Sequence, residues 1–338
     1  MKIKNIYFIL LLLATEFAFA QDGIPVYQDY FSDNLYLLHP SYAGAAGSNN
    51  VRVTYRKQWF DQDNPPSLAT LSYNTSLSDQ SGIGAVLFTD RNGNHSQTGG
   101  YLGYAHHLLL SRSRADLNQI SFGLRLGFIQ SKLDETGFNL SDYDPVIAGI
   151  VQSTSYFNVD AGVSYNFLNF SGYFTVKNLI FQNRSIYTEN FESNNQRNYM
   201  LNASYGINTN TEWAYEPSLL LQFIERTGEQ SVDINLKVYR TMDFGRLWGG
   251  ISYRRSFDGA EYINGEEIKN QKLQYITPVI GANYNNFMLA YTYSYQTGSV
   301  KFRSGGYHQL TLGYNIPNGK PSFWQQDMRN NGRLRPRY

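Results

Sequence analysis

The sequence predicts a closed antiparallel transmembrane β-barrel of about 14 strands. Three observations predict this fold. From about residue 50 onward, apolar residues recur at every second position, which is the period of a strand with two unlike faces. The connections between these segments largely alternate between short and long, as they do in outer-membrane barrels. The chain also contains 28 Tyr, 21 Phe, 4 Trp and 29 Gly, a composition that suits aromatic girdles and crowded strands.

The first 20 residues have the three parts of an export signal. Lys2 and Lys4 precede an apolar run at 6–14, and Ala18-Phe19-Ala20 precedes the expected cleavage before Gln21. An uncleaved anchor is the alternative, but the run is about nine residues against the roughly 20 that a spanning helix needs. The predicted division of the chain is a signal peptide at 1–20, an N-terminal periplasmic segment at 21–48, a barrel at 49–316 and a C-terminal tail at 317–338.

Charge and composition exclude several classes of protein. The formal net charge of +1 argues against a nucleic-acid surface and against a polybasic membrane patch. Without cysteine the chain has no disulfide framework, thiolate metal site or catalytic cysteine. Beyond the export signal no stretch is apolar enough to form a spanning helix. A soluble β-sandwich is the remaining competitor of the barrel.

The alternation is clearest in the segment 156–168, where Phe157 and Val159 alternate with Asn158 and Asp160. A soluble sandwich would carry more Lys and Glu on its polar face. Small residues and isolated charges instead suit a barrel lumen. The predicted strands, with bounds good to a few residues, are 49–58, 68–78, 82–90, 97–110, 117–131, 156–168, 170–179, 197–208, 212–225, 230–241, 245–256, 271–283, 286–296 and 306–316.

The connections predict which ends of the strands face the periplasm, because periplasmic turns are short and outer loops are long. An even number of strands places both termini on the side of the short turns. Pairing of the first and last strands would leave no unpaired edge in lipid. The predicted tight connections are 78–81, 111–116, 169, 209–211, 242–244 and 284–285; the longer ones include 59–67, 132–155, 180–196 and 257–270, and the short connection 226–229 breaks the pattern.

Several charged residues occupy the polar positions of their alternating strands, and their side chains are expected to point into the barrel. A basic side chain facing lipid at mid-depth would cost about 2 to 4 kcal/mol. Mutual pairing that plugs the lumen is one interpretation, and an eyelet that selects small solutes is the other. These residues are Arg125, Asp160, Glu216, Asp233, Lys237 and Arg254.

No pattern in the sequence predicts catalysis, a cofactor or a metal site. His106 and His107 are adjacent on a strand, so their side chains point to opposite faces and cannot chelate one ion together. No G-x-S-x-G elbow is present. Asp134, Asp142 and Asp144 lack the residue order of a calcium loop. We therefore expect a protein that is not an enzyme and has neither cofactor nor metal.

An aromatic and proline cluster precedes the first strand. It is too apolar for a free tail and has no strand to join. We predict that it folds against or into the periplasmic mouth of the barrel, with Gly44 relieving a tight turn. The cluster comprises Tyr27, Tyr30, Tyr36, Pro40 and Tyr42.

The same N-terminal region carries a family resemblance. Residues 24–30 read IPVYQDY, residues 34–44 read NLYLLHPSYAG, and residues 55–59 read YRKQW. This order resembles the PorP/SprF family, outer-membrane proteins of the type IX secretion system of Bacteroidota, which typically open with a P-x-Y-x-x-Y segment, an N-P-x-Y-A-G turn and a Y-R-x-Q-W strand. His39 departs from the family's usual Asn. The residues that carry the match are Pro25, Tyr27, Tyr30, Pro40, Tyr42, Ala43, Gly44, Tyr55, Arg56 and Trp59.

The resemblance implies a role in secretion rather than catalysis. The partners it implies are outer-membrane lipid, a secreted surface protein such as an adhesin or its C-terminal sorting domain, and periplasmic components of the secretion machine. It also implies a link to gliding motility. Loops 132–155 and 180–196 are the expected contact surfaces, since long outer loops carry function. The alternative is a diffusion porin or uptake channel, because a barrel of about 14 strands encloses a channel unless its lumen is filled.

Overall fold

The computed structural model describes residues 29–45, 49–58, 65–111, 117–137, 149–181, 186, 194–209, 212–264, 267–297 and 306–317. Within these residues the chain forms one antiparallel sheet that closes on itself. The first strand, β1 (Asn49–Gln58), pairs with the last strand, β15 (Tyr307–Ile316), from Asn49 opposite Ile316 to Gln58 opposite Tyr307. Closure leaves the wall without an edge. The prediction of a closed barrel is confirmed.

The strands follow one another around the wall in chain order. β8 and β9 both pair with β10 on either side of Gly206 and share one position, so the 15 strands form a 14-stranded barrel. The remaining strands are β2 (Ser67–Ser76), β3 (Ser81–Asn92), β4 (His95–Leu109), β5 (Asn118–Asp134), β6 (Val151–Phe167), β7 (Phe170–Lys177), β8 (Asn198–Tyr205), β9 (Ile207–Asn208), β10 (Trp213–Ile224), β11 (Gln230–Met242), β12 (Gly245–Asn264), β13 (Glu267–Tyr284) and β14 (Phe287–Thr297).

The outer face of the barrel is apolar and the inner face is polar. In β5 the side chains of Phe122, Leu124 and Leu126 are exposed on the outside, whereas Ser121 and Arg125 are buried inside. This arrangement reverses that of a soluble protein, because the outward side chains are stabilised by lipid instead of a core. No helix among the described residues is long and apolar enough to cross a membrane.

Short turns are more frequent at one end of the barrel, although the connections at 93–94 and 265–266 at the other end also span two residues. The turns after Phe167, Met242 and Tyr284 each span two residues. β1 begins and β15 ends at this same end, since Asn49 pairs with Ile316. Both features place this end in the periplasm.

One predicted outer loop is wrong. We expected a polar loop at 257–270, but β12 continues to Asn264 and β13 begins at Glu267, with a register shift between Arg255 and Gly259. Paired strands can extend into water because the ladder itself satisfies the backbone N–H and C=O groups. Polar composition therefore did not distinguish a loop from a long hairpin.

The segment before β1 lies inside the barrel. It forms three short 3₁₀ turns at Asp29–Ser32, Leu35–Leu37 and Pro40–Tyr42. We call residues 29–45 the plug. Two apolar clusters pack the plug against opposite walls. One cluster joins Tyr36, Leu37 and Ala43 to inner residues of β2 to β6, and the other joins Tyr30, Phe31 and Leu38 to inner residues of β8 and β10 to β14.

Candidate functional site

Small inward-facing residues on five neighbouring strands form a trough that receives the plug. A Cβ atom added at Gly82 would collide with the carbonyl of Ala43, and one added at Gly123 would collide with the backbone of Pro40 and Ser41. Contacts this close leave no room for a side chain. The trough runs across the strands from Gly82 through Ala105, Gly123 and Gly162 to Thr175.

Next to the trough, two more glycines form a notch for an aromatic ring. Gly84 and Gly103 are cross-strand neighbours in β3 and β4. A Cβ atom at Gly84 would collide with the ring of Tyr36, and one at Gly103 would lie 2.7 Å from its hydroxyl oxygen. The fully buried Tyr36 ring therefore fixes the position of the plug along this wall.

A buried ion pair holds the plug backbone. Arg125 Nε donates to Asp160 Oδ2 at 3.0 Å, and Arg125 Nη2 donates to the same oxygen at 2.6 Å. Nη1 of Arg125 donates to the carbonyls of Tyr36 and Leu37 at 3.1 and 3.2 Å. The other oxygen of Asp160 accepts the backbone N–H of Asn178 at 2.9 Å. The guanidinium thus joins wall and plug.

A second group of charges anchors the plug to the opposite wall, on β11 and β12. Lys237 Nζ lies 2.7 Å from the carboxylate of Asp33, and the hydroxyl of Tyr30 donates to Asp233 at 2.7 Å. Arg254 donates to both oxygens of Asp233, each at 2.6 Å. Burial raises the pKa of the Asp33 carboxyl, but the neighbouring Lys237 ammonium outweighs this effect and leaves the pKa below its ordinary value.

His39 is a neutral, buried part of the plug. Its Nδ1 lies 2.8 Å from the hydroxyl of Thr175, and its ring stacks on Tyr173 with centroids 4.9 Å apart. Burial lowers the pKa of His39 to about 3, and the positive charges of Arg125 and Lys177 act in the same direction. His39 is therefore uncharged at neutral pH.

The plug also reaches the remaining walls through neutral hydrogen bonds. The Ser32 hydroxyl lies 3.2 Å from the hydroxyl of Thr292 in β14 and accepts from Gln309 of β15 at 3.1 Å. Asn34 donates to Ser72 of β2 at 3.0 Å. The plug also contacts β5, β7, β11 and β12, so it crosses the whole lumen.

Below the plug, a cavity of about 290 Å³ faces the short-turn end. We call it the vestibule. Arg52 and Asn74 line it, and Arg52 Nε and Asn74 Oδ1 are buried without a hydrogen-bond partner. Unsatisfied buried polar atoms are costly, so these two atoms are available to a ligand or to water. The asparagines of the vestibule are Asn34, Asn50, Asn74, Asn169, Asn202, Asn208, Asn283 and Asn315.

Comparison with known families decides the identity of this barrel. The family model described as the type IX secretion system membrane protein PorP/SprF matches residues 19–314. The chain belongs to the PorP/SprF family. Its barrel lies in the outer membrane, and membership of the family implies interaction with other components of the secretion machine.

Solved structures similar to this PorP/SprF protein are outer-membrane barrels. The β domain of the Bordetella autotransporter BrkA is 12% identical with a TM-score of 0.40, and covers 80% of this chain and 99% of its own. The TodX monoaromatic hydrocarbon channel, as a deltaS2 mutant, is 10% identical with a TM-score of 0.48, and covers 85% of this chain and 95% of its own. Neither likeness carries a functional argument. Curated protein sequences give no match.

The structure separates the PorP/SprF motif residues into two environments. Tyr30, Pro40, Ala43 and Gly44 lie in the plug together with Tyr42, and Gly44 has a positive φ of 71°. Arg56 is buried inside β1, with its guanidinium 5.0 Å from the centre of the Tyr307 ring. Tyr55 faces outward and is exposed. Pro25, Tyr27 and Trp59 lie outside the described residues.

All six predicted lumen charges lie on the inner face of the PorP/SprF barrel, but they form separate groups. Arg125 pairs with Asp160, and Arg254 pairs with Asp233. Glu216 accepts a hydrogen bond from Tyr239 at 2.8 Å and lines the vestibule. Lys237 pairs with the plug instead of the wall. No described group of three His, Asp or Glu residues is placed to hold a metal ion.

Sequence reasoning missed the partners that the plug supplies. Asp33 and His39 were not recognised as lumen contacts, and none of the glycines of the trough was singled out. A run of inward glycines at one level of neighbouring strands was the available signal. It becomes visible only when the register between strands is known.

Proposed function

We propose that this protein is a non-enzymatic component of the type IX secretion machinery that supports secretion or surface anchoring of exported proteins such as adhesins. The family match supports a place in the machine. The observation that carries the proposal is the plug, which bridges opposite walls through Arg125 and Lys237. A barrel whose lumen is filled by its own chain suits a protein that holds partners at its rims.

The outer loops are the proposed surface for the exported partner. The stem of loop 180–196 is fixed by Glu225, which accepts from the hydroxyl of Tyr199 at 2.6 Å and from Asn195 at 3.0 Å. The Tyr199 hydrogen bond is the main cause of the lowered pKa of the Glu225 carboxyl. Residues 138–148, 182–185 and 187–193 of the two loops lie outside the described residues.

The vestibule is the proposed surface for a periplasmic component. Carboxamides carry both donors and acceptors, and Arg52 Nε and Asn74 Oδ1 have no hydrogen-bond partner in the structure, which suits the backbone of an extended peptide. Arg52, Lys237 and Arg246 supply positive charge there, and Asp33 and Glu216 supply negative charge.

Removal of the gene tests the proposal. We expect the loss of surface display of a specific adhesin, and its recovery when the full chain is expressed again. The abundance of unrelated outer-membrane proteins is the control. If every surface protein persisted unchanged in the deletion strain, the proposed role would be wrong.

Affinity purification from native membranes tests the partners directly. The full chain should retain an exported surface protein and periplasmic machine components. In a matched variant, a Gly-Ser linker replaces residues 138–148, and residues 150–151 and 180–181 are unchanged. This variant should lose the exported protein and keep the periplasmic components. Equal retention of the exported protein by both chains would contradict a role for that loop.

Single-channel conductance in a planar bilayer distinguishes this role from that of a porin. The plug fills the lumen, so the intact protein should give no stable conductance. A steady ohmic current through the intact protein would support the porin alternative instead.

A further inference from the structure

Three basic side chains stand in one row on the outside of the barrel. Lys57 of β1 lies opposite Ser67 of β2, and Ser67 lies opposite Arg91 of β3. Arg91 lies opposite Ser96 of β4, and Ser96 lies opposite Lys132 of β5. The cations thus occur on alternate strands at one level. Adjacent strands are about 4.8 Å apart, so neighbouring cations of the row have Cα atoms roughly 10 Å apart.

The row faces away from the lumen. Its residues alternate with buried, inward-facing Arg56, Leu68, Asp90, Gln97 and Ser131. It also lies at the end of the barrel opposite the termini, since Lys57 precedes the last residue of β1 by one position and β1 begins at the periplasmic end. The row is therefore at the outer rim, on the side that lipid contacts.

Polarity changes in an ordered way below the row. Two residues further towards the membrane centre, the outward positions are Tyr55, Ala69, Thr89, Thr98 and Gln130. Two residues further again, they are Val53, Leu71, Leu87, Gly100 and Phe128. Charged, mixed polar and apolar levels follow one another as phosphate, linker and acyl levels do in a bilayer leaflet.

The free-energy cost of an outward-facing cation is low at the membrane interface, which is the level of this row. A lipid-facing Arg or Lys is strongly unfavourable at the bilayer centre, and this cost almost disappears near the interface. A cation at the interface gains from anionic headgroups, about 1 kcal/mol for each Lys or Arg. Arg also matches phosphate oxygens bidentately.

The row borders a groove in the outer surface. Lys57, Arg91 and Lys132 line an open cavity of about 510 Å³, together with Tyr55 and Asp134. Asp134 is the acidic residue of this lining, and its carboxylate accepts from the backbone N–H and the hydroxyl of Thr136 at 3.2 and 2.6 Å. Among the residues that the structure describes, the lining therefore carries three cations and one carboxylate.

We propose that this groove binds the phosphate groups of a phosphorylated glycolipid of the outer leaflet, with its acyl chains on the apolar level below. The three cations hold the phosphates, the hydroxyls of Thr89 and Thr98 meet the sugar and linker level, and Leu71 and Leu87 contact the chains. An acidic protein segment would use the cations but not the apolar level directly beneath them. The site is separate from the plug, and it adjoins the base of loop 132–155, since Asp134 and Thr136 line the groove.

Lipid binding by the purified full chain tests the proposal. Native mass spectrometry of the folded protein in detergent would be titrated with phosphorylated lipid A, dephosphorylated lipid A and phosphatidylglycerol. We expect phosphorylated lipid A to bind most tightly. The triple variant Lys57→Gln, Arg91→Gln, Lys132→Gln should bind it roughly 100-fold more weakly, from about fivefold for each cation.

The matched control is Arg240→Gln, Arg255→Gln, which removes two exposed cations from β11 and β12 on the far wall. It should bind phosphorylated lipid A as the natural chain does. Heat-modifiable migration on a gel reports whether each variant is folded. If the triple variant did not fold, Arg91→Gln alone should weaken binding about fivefold.

Three outcomes would overturn the proposal. The first is unchanged affinity of the triple variant and of Arg91→Gln for phosphorylated lipid A. The second is equal binding of phosphorylated and dephosphorylated lipid A. The third is full displacement of lipid A by equimolar phosphatidylglycerol or by an acidic peptide, which would make the groove a general anion surface.

Discussion

Arg125 Nη2 lies 2.6 Å from Asp160 Oδ2, and both side chains are fully buried. The same guanidinium donates to two carbonyls of the plug. A buried ion pair is weak support for stability in itself, because desolvation offsets much of the attraction. Here the pair fixes where the plug backbone lies against β5 and β6.

Replacing Arg125 by Met should destabilise the protein. The change leaves the Asp160 carboxylate buried without its partner and releases the two plug carbonyls, and we expect a loss of about 3 to 5 kcal/mol in the free energy of unfolding. Urea unfolding in lipid vesicles measures the loss. Arg125→Met with Asp160→Asn should recover part of it, and Arg255→Met, at an exposed position of β12, should change it by less than about 0.5 kcal/mol. A similar stability for Arg125→Met and the natural chain would contradict this account of the pair.

A methyl group in the trough should displace the plug. Gly123→Ala places a Cβ atom against the backbone of Pro40 and Ser41, and overpacking of this kind costs about 1 to 3 kcal/mol. We expect faster proteolysis of the plug in Gly123→Ala. The control is Gly249→Ala, whose Cβ atom would meet the Val279 carbonyl oxygen at 3.4 Å, an ordinary contact. Equal proteolysis rates in the two variants would show that the trough does not constrain the plug.

Deletion of residues 24–44 should open the lumen and weaken the barrel. The deletion removes both apolar clusters between plug and wall and leaves Arg125 and Lys237 without plug partners. Planar-bilayer recording should then show conductance, and heat-modifiable migration should be lost at a lower temperature. A deleted chain that folds with unchanged stability and no conductance would rule out the plug as a structural element.

Acid should destabilise the folded state through His39. Its pKa is about 3 when folded and near 6.5 when unfolded, so between these values the unfolded chain binds a proton that the folded chain does not. Above about pH 6.5 this difference in proton binding does not affect the free energy of unfolding. As the pH falls towards 3 the free energy of unfolding decreases, by about 2 kcal/mol at pH 5. Unfolding of the natural chain and of His39→Asn at pH 7.5 and pH 5 measures it. The natural chain should lose more stability than His39→Asn, and an equal loss would mean that His39 is not the group that titrates.

The barrel was predictable from the sequence because every strand faces lipid on one side and the lumen on the other, so its residues alternate in polarity. The alternation of Phe157 and Val159 with Asn158 and Asp160 reports lipid on one side and lumen on the other. The family motif was predictable for the same local reason, since it is a run of consecutive residues. The hairpin at 257–264 and 267–270 was not, because polar residues accompany loops and extended strands alike.

The inward direction of Arg125, Asp233 and Lys237 followed from parity, but their partners did not. Asp160 lies 35 positions from Arg125, and Asp33 lies 204 positions from Lys237. Register between distant strands and the path of the plug decide such pairs, and neither is a local property of the chain. The same is true of the row formed by Lys57, Arg91 and Lys132.

The sequence by itself determined a closed outer-membrane barrel with an aromatic segment before its first strand. Side-chain alternation and connection length are local features of the chain, and they depend on whether each residue faces lipid, the lumen or water. Only the tertiary structure decided that this segment fills the lumen, and that Arg125 and Lys237 bind it there. Those facts depend on inward glycines of neighbouring strands meeting at one level, where they leave a space that the plug backbone can occupy.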